Sequence, residues 1–86
     1  MTSKLQWDSQ GWEDYLYWQK TDKKILSRIN LLIKGIQRNQ FEGIGEPEPL
    51  KHHWSGFWSR RINLEHRLIY TVENDVLMIA QCRYHY

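Results

Sequence analysis

Four short stretches carry the residue types that can do acid–base chemistry on a phosphodiester. They are Glu46-Pro47-Glu48-Pro49-Leu50-Lys51, Gly56-Phe57-Trp58-Ser59-Arg60-Arg61-Ile62, Glu65-His66-Arg67-Leu68-Ile69-Tyr70, and the terminal Cys82-Arg83-Tyr84-His85-Tyr86. Among them are a carboxylate set between two prolines, arginines that alternate with apolar residues, and a histidine one residue from the end. A carboxylate can take a proton, and an imidazole titrates near neutrality and can give one. A guanidinium grips phosphate through a planar fork of N–H donors. That is the inventory of a site that cleaves a phosphodiester without a metal.

The positions of these residues depend on what holds them. Glu46 and Glu48 each precede a proline, which drives the backbone out of the helical region, and the prolines fix their own φ. Both glutamates are therefore expected to be extended, with Glu48 on unusually stiff backbone. Such stiffness suits a catalytic group, which has to be held close to its productive position. A rigid entry to a sheet would produce the same residues, so the spacing leaves both readings open.

From Phe57 onward the chain alternates with period two. Trp58, Arg60 and Ile62 share one parity, and Phe57, Ser59 and Arg61 the other. His66, Leu68, Tyr70 and Val72 oppose Arg67, Ile69 and Thr71. Val76, Met78, Ala80, Cys82 and Tyr84 are expected to form the apolar parity of the last strand, opposed by Leu77, Ile79, Gln81, Arg83 and His85. This alternation predicts Arg61, Arg67, Arg83 and His85 on the face away from the apolar set. Ordinary strand amphipathicity would place them there too.

Other chemistries fit less well. Gly43-Ile44-Gly45 lacks the Lys-Ser/Thr ending of a phosphate-binding P-loop. His52 and His53 are adjacent and would point to opposite faces of a strand, and the histidines with one cysteine make no zinc spacing. No metal or other cofactor is expected. Cys82 follows an apolar run and reads as a buried small hydrophobe, not an exposed thiolate nucleophile. His66 falls on the apolar parity and is expected to be a hydrogen-bonded core histidine.

Charge points the same way. Residues 1–48 hold seven Lys/Arg against seven acids, whereas residues 49–86 hold Lys51, Arg60, Arg61, Arg67 and Arg83 against three acids, and all four histidines. The net charge of +2 thus belongs to the second half, and a polyanionic partner is the inference. Eighty-six residues suffice for a single domain spanning 1–86, with one core and the site on its outside. Five Trp and five Tyr supply large buried areas to a small chain. No signal peptide and no membrane-length apolar run is present, so a cytoplasmic protein with no membrane partner is expected.

The scaffold for these residues reads in chain order. Leu5-Gln6-Trp7 reads as a strand closed by Asp8-Ser9, either of which can cap a helix. Trp12, Tyr15, Leu16 and Gln19 form a helical stripe, with Glu13, Asp14 and Lys20 away from it. Thr21 is a candidate N-cap for a second helix, with Asp22 in its first turn. Ile25, Ile29, Leu32, Ile33 and Ile36 then make the cleanest amphipathic pattern in the chain. Residues 39–45 read as a loop. Asn63-Leu64-Glu65 and Glu73-Asn74-Asp75 are turns between the later strands. The predicted fold class is α+β, with two N-terminal helices packed on a twisted, mainly antiparallel sheet.

The run PEPLKHHWSGFWSRRI, the EHRLIY after it, the CRYHY ending and the DYLYWQKTDKKI segment near the start resemble the YoeB/Txe toxins, a branch of the RelE superfamily of bacterial type II toxin-antitoxin systems. The likeness spans nearly the whole chain. It implies a RelE-like, microbial-ribonuclease-like fold and a metal-independent endoribonuclease that cleaves mRNA in the A site of the 70S ribosome and so inhibits translation. It also implies a cognate antitoxin of the YefM/Phd-like kind, and a homodimer is compatible with it. Carried over to this chain, Glu48 matches the general base, His85 the general acid and Arg67 the phosphate-stabilising arginine. Lys51 and Arg61 match auxiliary cations, and Tyr86 a terminal residue of the site. The alternatives are a non-catalytic toxin on the RelE/ParE fold, and a plain RNA- or ribosome-binding module.

Overall fold

The apolar stripe of the second helical segment organises the molecule. The computed structural model describes residues 2–84, and His85 and Tyr86 lie outside the described residues. Strand β1 (Lys4–Trp7) leads into helices α1 (Ser9–Thr21) and α2 (Lys23–Arg38), followed by β2 (Glu48–Pro49), β3 (Trp58–Arg61), β4 (Arg67–Glu73) and β5 (Val76–Gln81). Ile29, Leu32, Ile33 and Ile36 of α2 are buried, and Ile25 packs at the edge of the same cluster. Each aliphatic side chain so buried contributes about 1.5–3 kcal/mol. The cap is displaced by one residue from the expected place. Asp22, not Thr21, is the N-cap, its carboxylate accepting from the Lys24 and Ile25 amides at 3.0 and 3.2 Å. Thr21 ends α1 and returns its hydroxyl to the Tyr17 carbonyl.

The strands form one sheet in the order β1-β5-β4-β3-β2. Only β1 runs parallel to its neighbour, β5, with Leu5 opposite Leu77 and Trp7 opposite Ile79. The β4–β5 turn uses Asn74 and Asp75 at φ 52 and 66, the two left-handed residues that a tight primed hairpin requires. Helices α1 and α2 cover one face of this sheet, as expected. No described helix is long and apolar enough to cross a membrane.

The buried stripe of α1 is Gly11, Asp14 and Trp18, one residue out of phase with the expected stripe. Trp12 remains 45% exposed, although it packs with Trp7 and Tyr15. The cause is close approach of α1 to β5: a Cβ on Gly11 would lie 2.6 Å from the Ile79 carbonyl oxygen. Helix α1 meets the sheet through its smallest residue, and Asp14 is then carried inward. Gly11→Ala is expected to destabilise the protein by about 2–3 kcal/mol, the cost of overpacking against backbone that cannot yield. Chemical denaturation followed by tryptophan fluorescence checks it, and an unchanged midpoint would contradict the close approach.

The parity expected for β5 is also corrected. Leu77 and Ile79 face the helices, whereas Met78 and Ala80 lie on the other face with Ile69 and Leu50. Ile69 pairs with Gln81 but Tyr70 pairs with Ile79, so Ala80 is the extra residue of a bulge. A bulge reverses the parity of every residue beyond it in the strand. Cys82 therefore rejoins the helix side and is fully buried, as expected but for a different reason.

Candidate active site

The face of the sheet away from the helices becomes polar where β2, β3 and β4 meet. Alternation along β3 sends Trp58, Arg60 and Ile62 toward the helices and Phe57, Ser59 and Arg61 outward. On β4 it sends Leu68, Tyr70 and Val72 inward and Arg67, Ile69 and Thr71 outward. Arg61 pairs directly with Arg67 across the two strands, and Glu48 pairs with Ser59. Like charges opposite one another on neighbouring strands repel, so this pairing is maintained by anions nearby. Glu48 Oε1 lies 3.4 Å from Arg67 Nη1, which is also 3.4 Å from Ser59 Oγ. Glu46 Oε2 lies 3.5 Å from Arg61 Nη2.

These contacts are longer than the 2.7–2.9 Å of a tight charge-assisted bond. The Arg67 side chain is only 12% exposed, while that of Glu48 is 51% exposed. A guanidinium held in the sheet and a carboxylate at its rim are suited to meet an anionic group that bears an acidic hydroxyl beside it. Lys51 is exposed, three residues past Glu48 at the start of a short 3-10 turn (His52–Trp54), and makes no ion pair among the described residues. His52 and His53 lie in that turn, exposed, and not in a strand. Among the described residues no three His, Cys, Asp or Glu side chains are grouped to hold a metal ion. The structure thus joins Glu48 to Arg67, sets Arg61 opposite Arg67, and leaves Lys51 exposed at the start of the turn that follows β2. The expected roles of His85 and Tyr86 fall outside the described residues.

Two backbone expectations change near Glu48. Glu46 is not extended but left-handed, at φ 52, while Glu48 is in strand β2. Arg83 is not on the open face either. Its guanidinium stacks 3.5 Å from the ring centre of Tyr17 on α1 and 4.5 Å from that of Tyr84. Beyond Gln81 the chain has left the strand, so strand parity no longer sets its direction.

Sequence reasoning missed what Arg60 does. Its side chain is fully buried on the helix side. Nε donates to the Tyr70 hydroxyl at 3.2 Å, Nη1 to the Ile44 carbonyl at 3.2 Å, and Nη2 to the Asn39 and Glu42 carbonyls at 2.6 and 3.0 Å. The Tyr70 hydroxyl in turn donates to the Gln40 carbonyl at 2.8 Å. Burial pushes the Tyr70 phenol up, against the opposing pull of Arg60. Arg60 thereby ties down residues 39–45, the loop that feeds Glu46 and Glu48. Its signal was present, since it shares parity with Trp58 and Ile62.

Cys82 is excluded as a nucleophile. Burial, reinforced by the Asp14 carboxylate, drives its thiol far above the ordinary range, so it carries no thiolate near neutrality. His66 is a buried, hydrogen-bonded histidine as expected, with Nδ1 accepting from the Tyr84 amide at 2.7 Å.

With this geometry in view, comparison with known proteins is specific. Residues 7–86 match the family described as YoeB-like toxin of bacterial type II toxin-antitoxin system. The chain is 64% identical over 83 residues to Toxin YoeB of Escherichia coli K12, covering 96% of this chain and 99% of that protein. Two solved structures from Staphylococcus aureus each cover 100% of both chains. The YoeB-YefM complex superposes with a TM-score of 0.90 at 48% identity, and the YoeB dimer with 0.92 at 49%.

Proposed function

Since the chain belongs to the YoeB-like toxins of bacterial type II toxin-antitoxin systems, we propose that it halts translation by cleaving mRNA in the ribosomal A site, through metal-independent acid–base chemistry. The observation that carries this reading is the Glu48–Arg67 contact at 3.4 Å, beside Ser59 on the open face of the sheet.

RNA brings its own nucleophile, the 2′-OH, so the enzyme's task is to move two protons and hold the phosphate. Glu48 takes the 2′-OH proton as the oxygen attacks the adjacent phosphorus. The P–O5′ bond breaks, and His85 gives the leaving oxygen its proton. Arg67 stabilises the added negative charge on the phosphorane-like transition state, with Arg61 and Lys51 extending the positive field. Arg67 suits this because its guanidinium is largely withdrawn from water, where a charge acts more strongly. By the same likeness, Tyr86 contributes to the reaction. The products are a 2′,3′-cyclic phosphate and a 5′-OH.

The partners follow from the same likeness. The Staphylococcus aureus relative is solved with YefM and as a dimer. A YefM-like antitoxin is therefore the proposed inhibitor of this chain, and self-association its proposed free state. Action on ribosomes places its work in the cytoplasm.

One experiment tests the reading. Ribosomes programmed with a defined mRNA and incubated with the protein in excess chelator should yield fragments ending in 2′,3′-cyclic phosphate and beginning with 5′-OH. Intact mRNA under arrested translation would leave a non-catalytic toxin. Fragments with 5′-phosphate ends would contradict attack by the 2′-OH.

A further inference from the structure

The last described residues leave the sheet along a path that four hydrogen bonds to backbone groups of Cys82 and Tyr84 hold. Beyond Gln81, the Cys82 amide donates to Asp14 Oδ2 at 3.0 Å, and the Cys82 carbonyl accepts from the Trp18 indole N–H at 2.8 Å. The Tyr84 amide donates to His66 Nδ1 at 2.7 Å, and the Tyr84 carbonyl accepts from the Arg67 amide at 3.1 Å. Asp14, Trp18 and His66 are all buried, at 5%, 5% and 9% exposure, and the two bonds to Cys82 are shielded from competing water, while that from Tyr84 to His66 is part-buried. Each anchor is itself fixed. Asp14 accepts from Gln10 at 2.8 Å through its other oxygen, and the His66 ring stands edge-on to Trp18 with centres 4.7 Å apart.

Tyr84 is left-handed, at φ 67. A residue with a side chain enters that region only where its surroundings over-determine it, and here the bonds to His66 and Arg67 do so.

We propose that His66 is a positioning residue for the cleavage reaction, with Asp14 and Trp18 as its supports: together they fix Cys82–Tyr84 so that the residue after Tyr84 is delivered to the leaving oxygen. This rests on the reading of His85 as the general acid. The Tyr84 carbonyl is bonded to the backbone of Arg67, the arginine assigned to the phosphate. The residue that precedes the proposed acid is thus tied through its backbone to the residue that grips the phosphate. Without the clamp Cys82–Tyr84 is no longer held in this path, and catalysis falls with the fraction of time the acid is within reach. The clamp works through an acceptor at Nδ1, so retaining that acceptor matters more than retaining the ring.

The test uses two substrates and two variants, in single-turnover cleavage on saturating ribosomes. His66→Phe keeps a ring against Trp18 without the acceptor, whereas His66→Asn places an amide oxygen near the Nδ1 position. On ordinary mRNA, His66→Phe is expected to lose about 30-fold in rate and His66→Asn less than about threefold. The second substrate carries sulfur in place of the scissile 5′-oxygen, a leaving group that departs without protonation. On it both variants are expected within about threefold of the parent, because the step the clamp serves is no longer required. Equal losses on the two substrates would show that His66 supports only the fold or substrate binding, and would overturn the proposal. An undiminished rate for His66→Phe on ordinary mRNA would do the same. If His66→Phe does not fold, Trp18→Phe, which removes the donor to the Cys82 carbonyl, is read with the same pair. His85→Ala separates the premise from the inference. Loss on ordinary mRNA with recovery on the sulfur substrate upholds the acid, while any other pattern withdraws it and the clamp's purpose with it.

Discussion

Glu48→Gln is expected to lower the single-turnover rate of mRNA cleavage on saturating ribosomes by about 10³-fold, within the ~10²–10⁴ that a positioned acid or base supplies. The amide keeps the size of the side chain and an oxygen for Arg67, but it cannot take the 2′-OH proton. Thermal stability should hardly change. The pair it weakens is 3.4 Å long with its carboxylate half exposed, and such pairs contribute about 0–1 kcal/mol. The control is Glu46→Gln, which removes the same charge two residues away, from the exposed 3.5 Å contact with Arg61. It should cost less than about tenfold, because it alters the local field without removing the base. Rapid-quench measurement of cyclic-phosphate ends decides the matter. Comparable losses in the two variants would make Glu48 one more charge in the field.

Arg60→Met should have the larger effect on stability, a loss of about 3 kcal/mol or more. Methionine fills part of the space but offers no donors, and the carbonyls of Asn39, Glu42 and Ile44 then lose theirs. These bonds are part-buried, and a buried acceptor left without its donor costs about 1–3 kcal/mol, less whatever water restores at these more open positions. For a chain of this length a loss of about 3 kcal/mol lowers Tm by more than about 10 °C. Arg61→Met, at the next position, should shift Tm by only a few degrees, since Arg61 meets Glu46 near the surface. Calorimetry on the two variants therefore separates burial from charge at adjacent arginines. Equal shifts would mean that the loop at residues 39–45 does not depend on Arg60.

The placement of Glu48 in an extended strand and of Arg61 and Arg67 on the open face was legible because the cues are local. Proline on either side of Glu48 restrains its backbone whatever the rest of the chain does, and period-two alternation puts Arg61 and Arg67 on one face of any strand pair. The stripe of α2 was legible for the same reason, since five aliphatic residues at helical spacing have one way to be buried. Where cues were weak the structure departed from expectation. In α1 a polar Asp14 and a bare Gly11 offered no apolar signal, and the tryptophan at position 12 offered a misleading one. The close approach of Gly11 to the Ile79 carbonyl, which a pattern of side chains cannot express, set the phase of that helix. At the end of β5 the bulge at Ala80 reversed the parity, and a bulge is a property of two paired strands and not of either alone.

Periodicity, proline and long shared motifs act within short stretches of chain, and they were enough to indicate the class of fold, the family, and that Arg61 and Arg67 share the open face. The distances between those side chains came from elsewhere. Folding brought Glu48 to 3.4 Å from Arg67 across 19 positions of sequence, sank Arg60 while leaving Arg61 outside, and turned Asp14 from an expected surface residue into an anchor for Cys82. Those outcomes depend on strand register, a bulge and the approach of one helix to one strand. Such relations are set by packing between distant segments, and local residue preferences do not contain them.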